Sequence, residues 1–90
     1  MVFKTNEEIL KEVAIRFRKI RKMKRITQKD LSLSSNVSYG TIKRFESSGE
    51  ISLYSLTKLC VALDMTYEIE NLFQNVAFNS IDEVIEYGKA

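Results

Sequence analysis

The chain has 90 residues, of which 44% are hydrophobic and 29% charged, proportions that fit one small globular domain and exclude a disordered chain. Histidine is absent and there is a single cysteine, which excludes an intramolecular disulfide and removes the commonest general base and transition-metal ligand. There is no proline, no glycine-rich loop and no long apolar run, so neither a phosphate loop nor a membrane span is expected. We therefore expect a cytoplasmic protein that is not an enzyme, with no catalytic residues, no metal and no cofactor.

The net charge of +2 conceals a strong asymmetry along the chain. Residues 1–44 carry twelve Lys/Arg and four Asp/Glu, a net +8, whereas residues 45–90 carry two Lys/Arg and eight Asp/Glu, a net −6. A basic region of this kind is expected to bind an anionic polymer, and the acidic region is expected to have a different function. A basic surface that is merely solvated is the alternative that charge alone leaves open.

The first predicted element is a long amphipathic helix over about residues 6–24. Thr5 and Glu8 have the spacing of a capping box, in which each side chain accepts a backbone N–H of the other residue. Apolar residues then recur every three or four positions, which predicts a single stripe. The stripe consists of Ile9, Leu10, Val13, Phe17 and Ile20.

Two shorter helices are predicted next, over about 28–34 and 39–47, behind the capping residues Thr27 and Ser38. Asn36 lies between them, and asparagine is the commonest residue other than glycine in the left-handed conformation that ends a helix. Two short helices joined by a turn of about four residues are the helix-turn-helix arrangement.

The second of these short helices has an apolar and a polar side. Ile42 and Phe45 are predicted to anchor it, with Val37 packing just before its cap. In a helix-turn-helix, the second helix places its N-terminal end in the DNA major groove, so small or polar groups must face outward there. The residues left outward are Tyr39, Gly40, Lys43 and Arg44.

A fourth helix is predicted over about 53–63 behind Ser52, and a fifth over about 67–74 behind Thr66. Their apolar residues are expected to face inward. These are Leu53, Leu56, Leu59, Cys60 and Leu63 in the fourth helix, and Ile69, Leu72 and Phe73 in the fifth.

The last sixteen residues are predicted as a C-terminal extension, 75–90, outside a core of about 6–74. Residues 75–79 are compatible with an extended segment. Ser80 and Glu83 repeat the capping-box spacing and predict a short helix that ends at Gly88. The expected fold is therefore a single all-α domain.

The stretch from Phe17 to Leu63 resembles the Cro and lambda-repressor type of helix-turn-helix domain, also called XRE-like. The resemblance implies a compact bundle of five helices that binds double-stranded DNA, usually as a dimer. The matching segments are Phe17-Arg18-Lys19-Ile20-Arg21, Ile26-Thr27-Gln28-Lys29-Asp30-Leu31, Val37-Ser38, Thr41-Ile42, Phe45-Glu46 and the pattern Leu53, Leu56, Leu59-Cys60, Leu63.

Four positions are unusual for this family. Asn36 replaces the usual turn glycine and keeps the left-handed conformation accessible, while Ser32 replaces a small alanine and still lets the helices approach. Arg25 replaces a glycine that often precedes Ile26, and we expect the replacement to cost little geometrically and to add charge. Gly40 weakens the third helix by up to about 1 kcal/mol relative to alanine, but allows close approach to a base edge.

The resemblance also implies roles in DNA recognition. Gln28 would contact a phosphate from the start of the second helix, and Arg44 would read a guanine through a bidentate contact. Thr41 would face partly toward the phosphates. The base-reading surface implied by the family comprises Ser38, Tyr39, Gly40, Lys43 and Arg44. For each residue the alternative is an ordinary solvated or structural side chain.

The charges of the first helix divide into two groups. Arg21 is expected to form an internal pair with Glu46, as the corresponding residues of the family often do. Lys22, Lys24 and Arg25 are expected to contact phosphates, which adds affinity without sequence information.

We expect a nucleoid-associated regulator in a prokaryotic cytoplasm that forms a homodimer through the fifth helix and the extension, where apolar residues occur in an acidic half. The alternative is an antitoxin that binds a protein toxin and represses its own promoter. The segments 42–46 and 49–53 look similar to small regulators found beside HipA-type kinases, and the acidic half would then contact the toxin.

Overall fold

The computed structural model describes residues 3–75 and 80–89, and the predicted extended segment lies mostly outside these residues. The described residues form helices and turns without strands, which confirms the all-α class. None of their helices combines the length and apolar character needed to cross a bilayer. The six helices are α1 (Asn6–Met23), α2 (Gln28–Ser35), α3 (Tyr39–Ser48), α4 (Leu53–Ala62), α5 (Thr66–Glu70) and α6 (Ile81–Lys89).

The predicted capping residues fix the starts of the first four helices. The Thr5 hydroxyl accepts the Glu8 N–H and the Glu8 carboxylate accepts the Thr5 N–H, both at 3.1 Å, which confirms the capping box. Thr27, Ser38 and Ser52 each accept the N–H three residues later at 3.0–3.1 Å. Each contact satisfies an amide donor that the first helical turn leaves unpaired. The boundaries of α2 and α3 are therefore set locally.

The core forms where α3 packs between α1 and α2, with α4 covering α2 and α5 packing on α4. The Phe17 and Phe45 rings meet edge to face with their centroids 5.1 Å apart, which adds about 0.5–1.5 kcal/mol beyond their burial. Val37, Ile42 and Phe45 are buried as predicted. The complete buried cluster is Phe17, Leu31, Val37, Ile42, Phe45, Leu59, Cys60, Leu63 and Met65.

Some apolar positions predicted to face inward lie at the surface. Leu53 is 60% exposed because it stands in the first turn of α4, outside the packed part of that helix. Ile9 and Leu10, in the first two turns of α1, are exposed as well. Ala14, which the periodic pattern missed, is buried, and Phe17 is the most buried residue of the predicted stripe.

The fifth helix is shorter than predicted. It spans Thr66–Glu70, and Met65 rather than Thr66 occupies its cap position without a side-chain hydrogen bond. Phe73 adopts a left-handed φ of 67°, which interrupts the helical path, and its side chain is exposed instead of facing inward. Leu72 is half exposed. Without a capping side chain, apolar spacing alone overestimated the length of this helix.

Two residues close to the helix-turn-helix hold left-handed backbone conformations. Asn36 has φ 60°, as predicted, and Ser32 ties down the same turn because its hydroxyl donates to the Val37 carbonyl at 2.7 Å. Arg25 has φ 59°. A non-glycine residue in this region costs about 1–2 kcal/mol, so the expectation that Arg25 replaces a glycine at little geometric cost was wrong.

The last described helix, α6, begins as predicted, with the Ser80 hydroxyl accepting the Glu83 N–H at 3.2 Å. It continues through Gly88 to Lys89 rather than ending at the glycine. Within the described residues α6 packs on none of the other helices. Ile81, Val84 and Ile85 are consequently exposed on its surface.

Candidate nucleic-acid interface

The third helix has the two-sided character that the sequence predicts. Ile42 and Phe45 are 0% and 1% exposed and anchor its inner side. Tyr39 is 38% exposed, and Gly40, Lys43 and Arg44 are also exposed on the opposite side. A methyl group added at Gly40 would meet no atom within 4 Å, so the backbone of the first turn is open to an approaching surface. These four predicted residues therefore share one accessible face.

Ser38 and Thr41 serve the helix start itself. The Ser38 hydroxyl accepts the Thr41 N–H at 3.1 Å, and the two hydroxyl oxygens lie 2.7 Å apart. Ser38 is exposed and Thr41 is half-buried beside the same turn. Their predicted contacts with a ligand stay predictions, because the structure shows only their capping role.

A lysine that the sequence analysis did not select extends this face. The ammonium groups of Lys29 and Lys43 lie 5.9 and 5.2 Å from the centroid of the Tyr39 ring. Cation–π attraction of this kind holds a positive group over an aromatic face. Tyr39 thereby gathers two positive charges at the N-terminal end of α3, one of them contributed by α2.

Arg44 lies on the exposed face but is not a free side chain. Its Nε donates to Glu50 Oε2 at 3.0 Å, and its Nη2 donates to the same oxygen. The side chains are 71% and 54% exposed, respectively. Glu50, in the turn after α3, was missed because the pair spans six positions across a helix end.

The buried junction of α1, α2 and α3 is held by Arg21 and Glu46, as predicted. Arg21 Nε and Nη2 donate to the two carboxylate oxygens of Glu46 at 2.6 and 2.8 Å, and Nη1 donates to the Ile26 carbonyl at 2.8 Å. The hydrogen bond to Glu46 raises the pKa of Arg21 above its ordinary value. The Arg21 guanidinium and the Glu46 carboxylate are thus buried and hydrogen-bonded, which fixes the three helices relative to one another.

Gln28 joins this junction instead of standing free at the start of α2. Its amide nitrogen donates to Glu46 at 3.0 Å. The amide carries two hydrogens, so one remains available to an external acceptor. Arg18 and Lys43 line a shallow pocket with Gln28. The predicted phosphate contact of Gln28 stays a prediction, and Arg18 is a neighbouring cation to which the sequence analysis assigned no role.

Lys22, Lys24 and Arg25 form an exposed basic group where α1 ends and the connection to α2 begins. The left-handed conformation of Arg25 places this group at the bend between the two helices. Their predicted phosphate contacts stay predictions.

Comparison with models of protein families matches residues 17–69 to the helix-turn-helix family. Comparisons with curated proteins and with solved structures give no match. The family match covers more than half of the chain and contains α2 and α3, the two helices of the helix-turn-helix, together with α4. The chain therefore belongs to the Cro and lambda-repressor-like, or XRE-type, helix-turn-helix family of DNA-binding regulators.

Proposed function

We propose that the protein is a sequence-specific transcriptional regulator that reads the major groove with the first two turns of α3. The observation that carries the proposal is the two-sidedness of α3, whose inner side is fully buried while Tyr39, Gly40, Lys43 and Arg44 are exposed. A recognition helix needs this arrangement, because base edges are read by its exposed first turns while its back is held by the other helices.

The exposed cations have two different roles in this proposal. Arg44 contacts a guanine through two parallel hydrogen bonds, which is the commonest specific contact in the major groove. Lys22, Lys24 and Arg25 contact phosphates and position the domain without reading sequence. Gln28 uses its remaining amide hydrogen on a phosphate near the start of α2. Ser38 and Thr41 hold the first turn of α3 at the DNA surface.

Selection of bound sequences from a random DNA duplex library tests this proposal. We expect enrichment of a short motif that contains a guanine sensitive to Arg44→Ala. If the protein acts as a dimer, the motif occurs as two half-sites about 34 Å apart or a multiple of that spacing. Retention of DNA without enrichment of any motif would contradict sequence-specific reading.

The proposal includes a homodimer formed through the C-terminal part of the chain. Leu72, Phe73, Val84 and Ile85 are exposed apolar residues in the acidic half. Burial of such side chains against a second copy would remove apolar surface from water. We expect the full chain to sediment as a dimer at high micromolar concentration. A chain ending at residue 74 should dimerise less. A monomeric full chain that behaves like the shortened one would overturn this part.

A second candidate function is that of an antitoxin, a regulator that also neutralises a protein toxin. The same exposed apolar residues within an acidic region favour it, because they suit a protein partner rather than DNA. A neighbouring gene for a HipA-type kinase, together with co-purification of that kinase and the full chain, would support this function. A Val84→Asp variant should lose the kinase, and unchanged kinase binding would place the toxin contact elsewhere.

A further inference from the structure

Glu50 is an exposed acid beside a surface that must meet a polyanion. Its carboxylate accepts two hydrogen bonds from Arg44, one of them at 3.0 Å. A negative charge at this position repels phosphates, which is unfavourable for DNA binding in general. Exposed ion pairs of this kind also contribute little to folding stability. Neither general DNA affinity nor stability therefore accounts for an acid here.

The geometry of the pair leaves one edge of the Arg44 guanidinium free. Nε and Nη2 both donate to a single oxygen, Glu50 Oε2, so the pair occupies the side of the guanidinium nearest the chain. Nη1 and the second hydrogen of Nη2 remain at the tip. Two parallel N–H groups at the tip match the O6 and N7 acceptors of guanine. Glu50 and a guanine can thus bind Arg44 at the same time.

Glu50 is itself held in place by the turn that follows α3. Gly49 has φ 85°, and a Cβ atom there would lie 2.4 Å from the Leu10 carbonyl oxygen, so the turn packs directly against α1. The Glu50 N–H donates to the Ser48 hydroxyl at 3.1 Å, and that hydroxyl donates to the Arg44 carbonyl at 2.8 Å. The carboxylate is therefore presented to Arg44 from a fixed backbone.

We propose that Glu50 is a positioning residue that makes Arg44 a reader of guanine instead of a general phosphate contact. This inference rests on the proposed function, in which Arg44 meets a base. With Glu50 in place, the guanidinium is held with its tip outward and phosphates are repelled from it. Without Glu50, the long side chain is free to turn toward the nearest phosphate, which gives affinity without sequence information.

The test uses the full chain and the duplex selected by the wild-type protein, together with three duplexes that differ at the guanine sensitive to Arg44. The discrimination ratio is the affinity for the selected duplex divided by that for an altered duplex, and in wild type it should be about 5 to 150. In Glu50→Gln we expect this ratio to fall several-fold, while affinity for an unrelated duplex rises up to roughly 5-fold because a repulsive charge is lost. Glu7→Gln, an equal charge change at the exposed start of α1, should leave the ratio unchanged.

A double-mutant comparison separates this inference from the function on which it rests. In the Arg44→Ala background, Glu50→Gln should no longer change the ratio, because the acid acts only through the arginine. If Arg44→Ala lowers discrimination but Glu50→Gln does not, the role of Glu50 is refuted and base reading by Arg44 stands. If Glu50→Gln raises affinity for all duplexes equally, the acid merely repels DNA and the inference is refuted. If Arg44→Ala leaves the ratio intact, both proposals fail.

Discussion

The third helix contributes one residue to each of two arginine–glutamate pairs, one on its inner side and one on its outer side. Arg21 and Glu46 are 7% and 3% exposed where α1, α2 and α3 meet, whereas Arg44 and Glu50 are 71% and 54% exposed at the opposite face. The chemistry is the same, but burial gives the pairs different tasks. The inner pair cannot be released without leaving a charge in the core, while the outer pair stays accessible to a partner.

The largest expected effect comes from breaking the inner pair. Glu46→Ala leaves the Arg21 guanidinium buried without a balancing carboxylate, and removing one partner of a buried pair costs about 3–5 kcal/mol. Urea unfolding followed by circular dichroism measures this change. Glu50→Ala is the matched control, and we expect it to alter the free energy of unfolding by less than about 1 kcal/mol. Equal losses in the two variants would contradict the assignment of structural and accessible pairs.

The outer pair should show the opposite behaviour, with an effect on DNA binding and little on stability. Arg44→Ala should cost about 1–3 kcal/mol at the selected duplex and relax the preference at one base pair. Lys24→Ala is the control, because a phosphate contact should weaken binding to every duplex about equally. Titrations against cognate and altered duplexes measure both. If the two variants weaken all duplexes to the same degree, Arg44 is not a base reader.

Arg25 separates stability from binding within one residue, because its backbone conformation destabilises the fold while its side chain is proposed to bind a phosphate. Arg25→Gly relieves a left-handed strain of about 1–2 kcal/mol but adds glycine flexibility to the unfolded chain, so we expect a net stabilisation of up to about 1 kcal/mol. Loss of the proposed phosphate contact should lower the slope of log affinity against log salt by about 0.9. Unfolding and DNA titrations at several salt concentrations measure these changes. A variant with lower stability, or with an unaltered salt slope, would contradict the corresponding half of this prediction.

The sequence predicted those features that depend on neighbouring residues. Thr27 and Ser38 fix helix starts by contacts within four positions, so their spacing was sufficient. Arg25 and Phe73 were misjudged because neither residue type is typical of the left-handed φ that each adopts. The Arg44–Glu50 pair depends on the path of a turn that packs against α1. Contacts between side chains that depend on tertiary structure were thus not predicted from local sequence patterns.

The smallest expected effect lies at the start of α1, where an exposed acid is bound to backbone rather than to an arginine. The Glu8 carboxylate accepts the Thr5 N–H, which lowers its pKa below the ordinary value. A carboxyl group with a lower pKa in the folded state stabilises the fold above its unfolded pKa of about 4.3. That contribution is lost as the pH falls through the lower, folded value. Acid titration of stability should therefore be shallower in Glu8→Gln than in wild type, and much less altered in Glu7→Gln, since Glu7 takes no part in the capping box. Identical acid profiles for Glu8→Gln and wild type would show that the hydrogen bond is no stronger than the contacts of the unfolded chain with water.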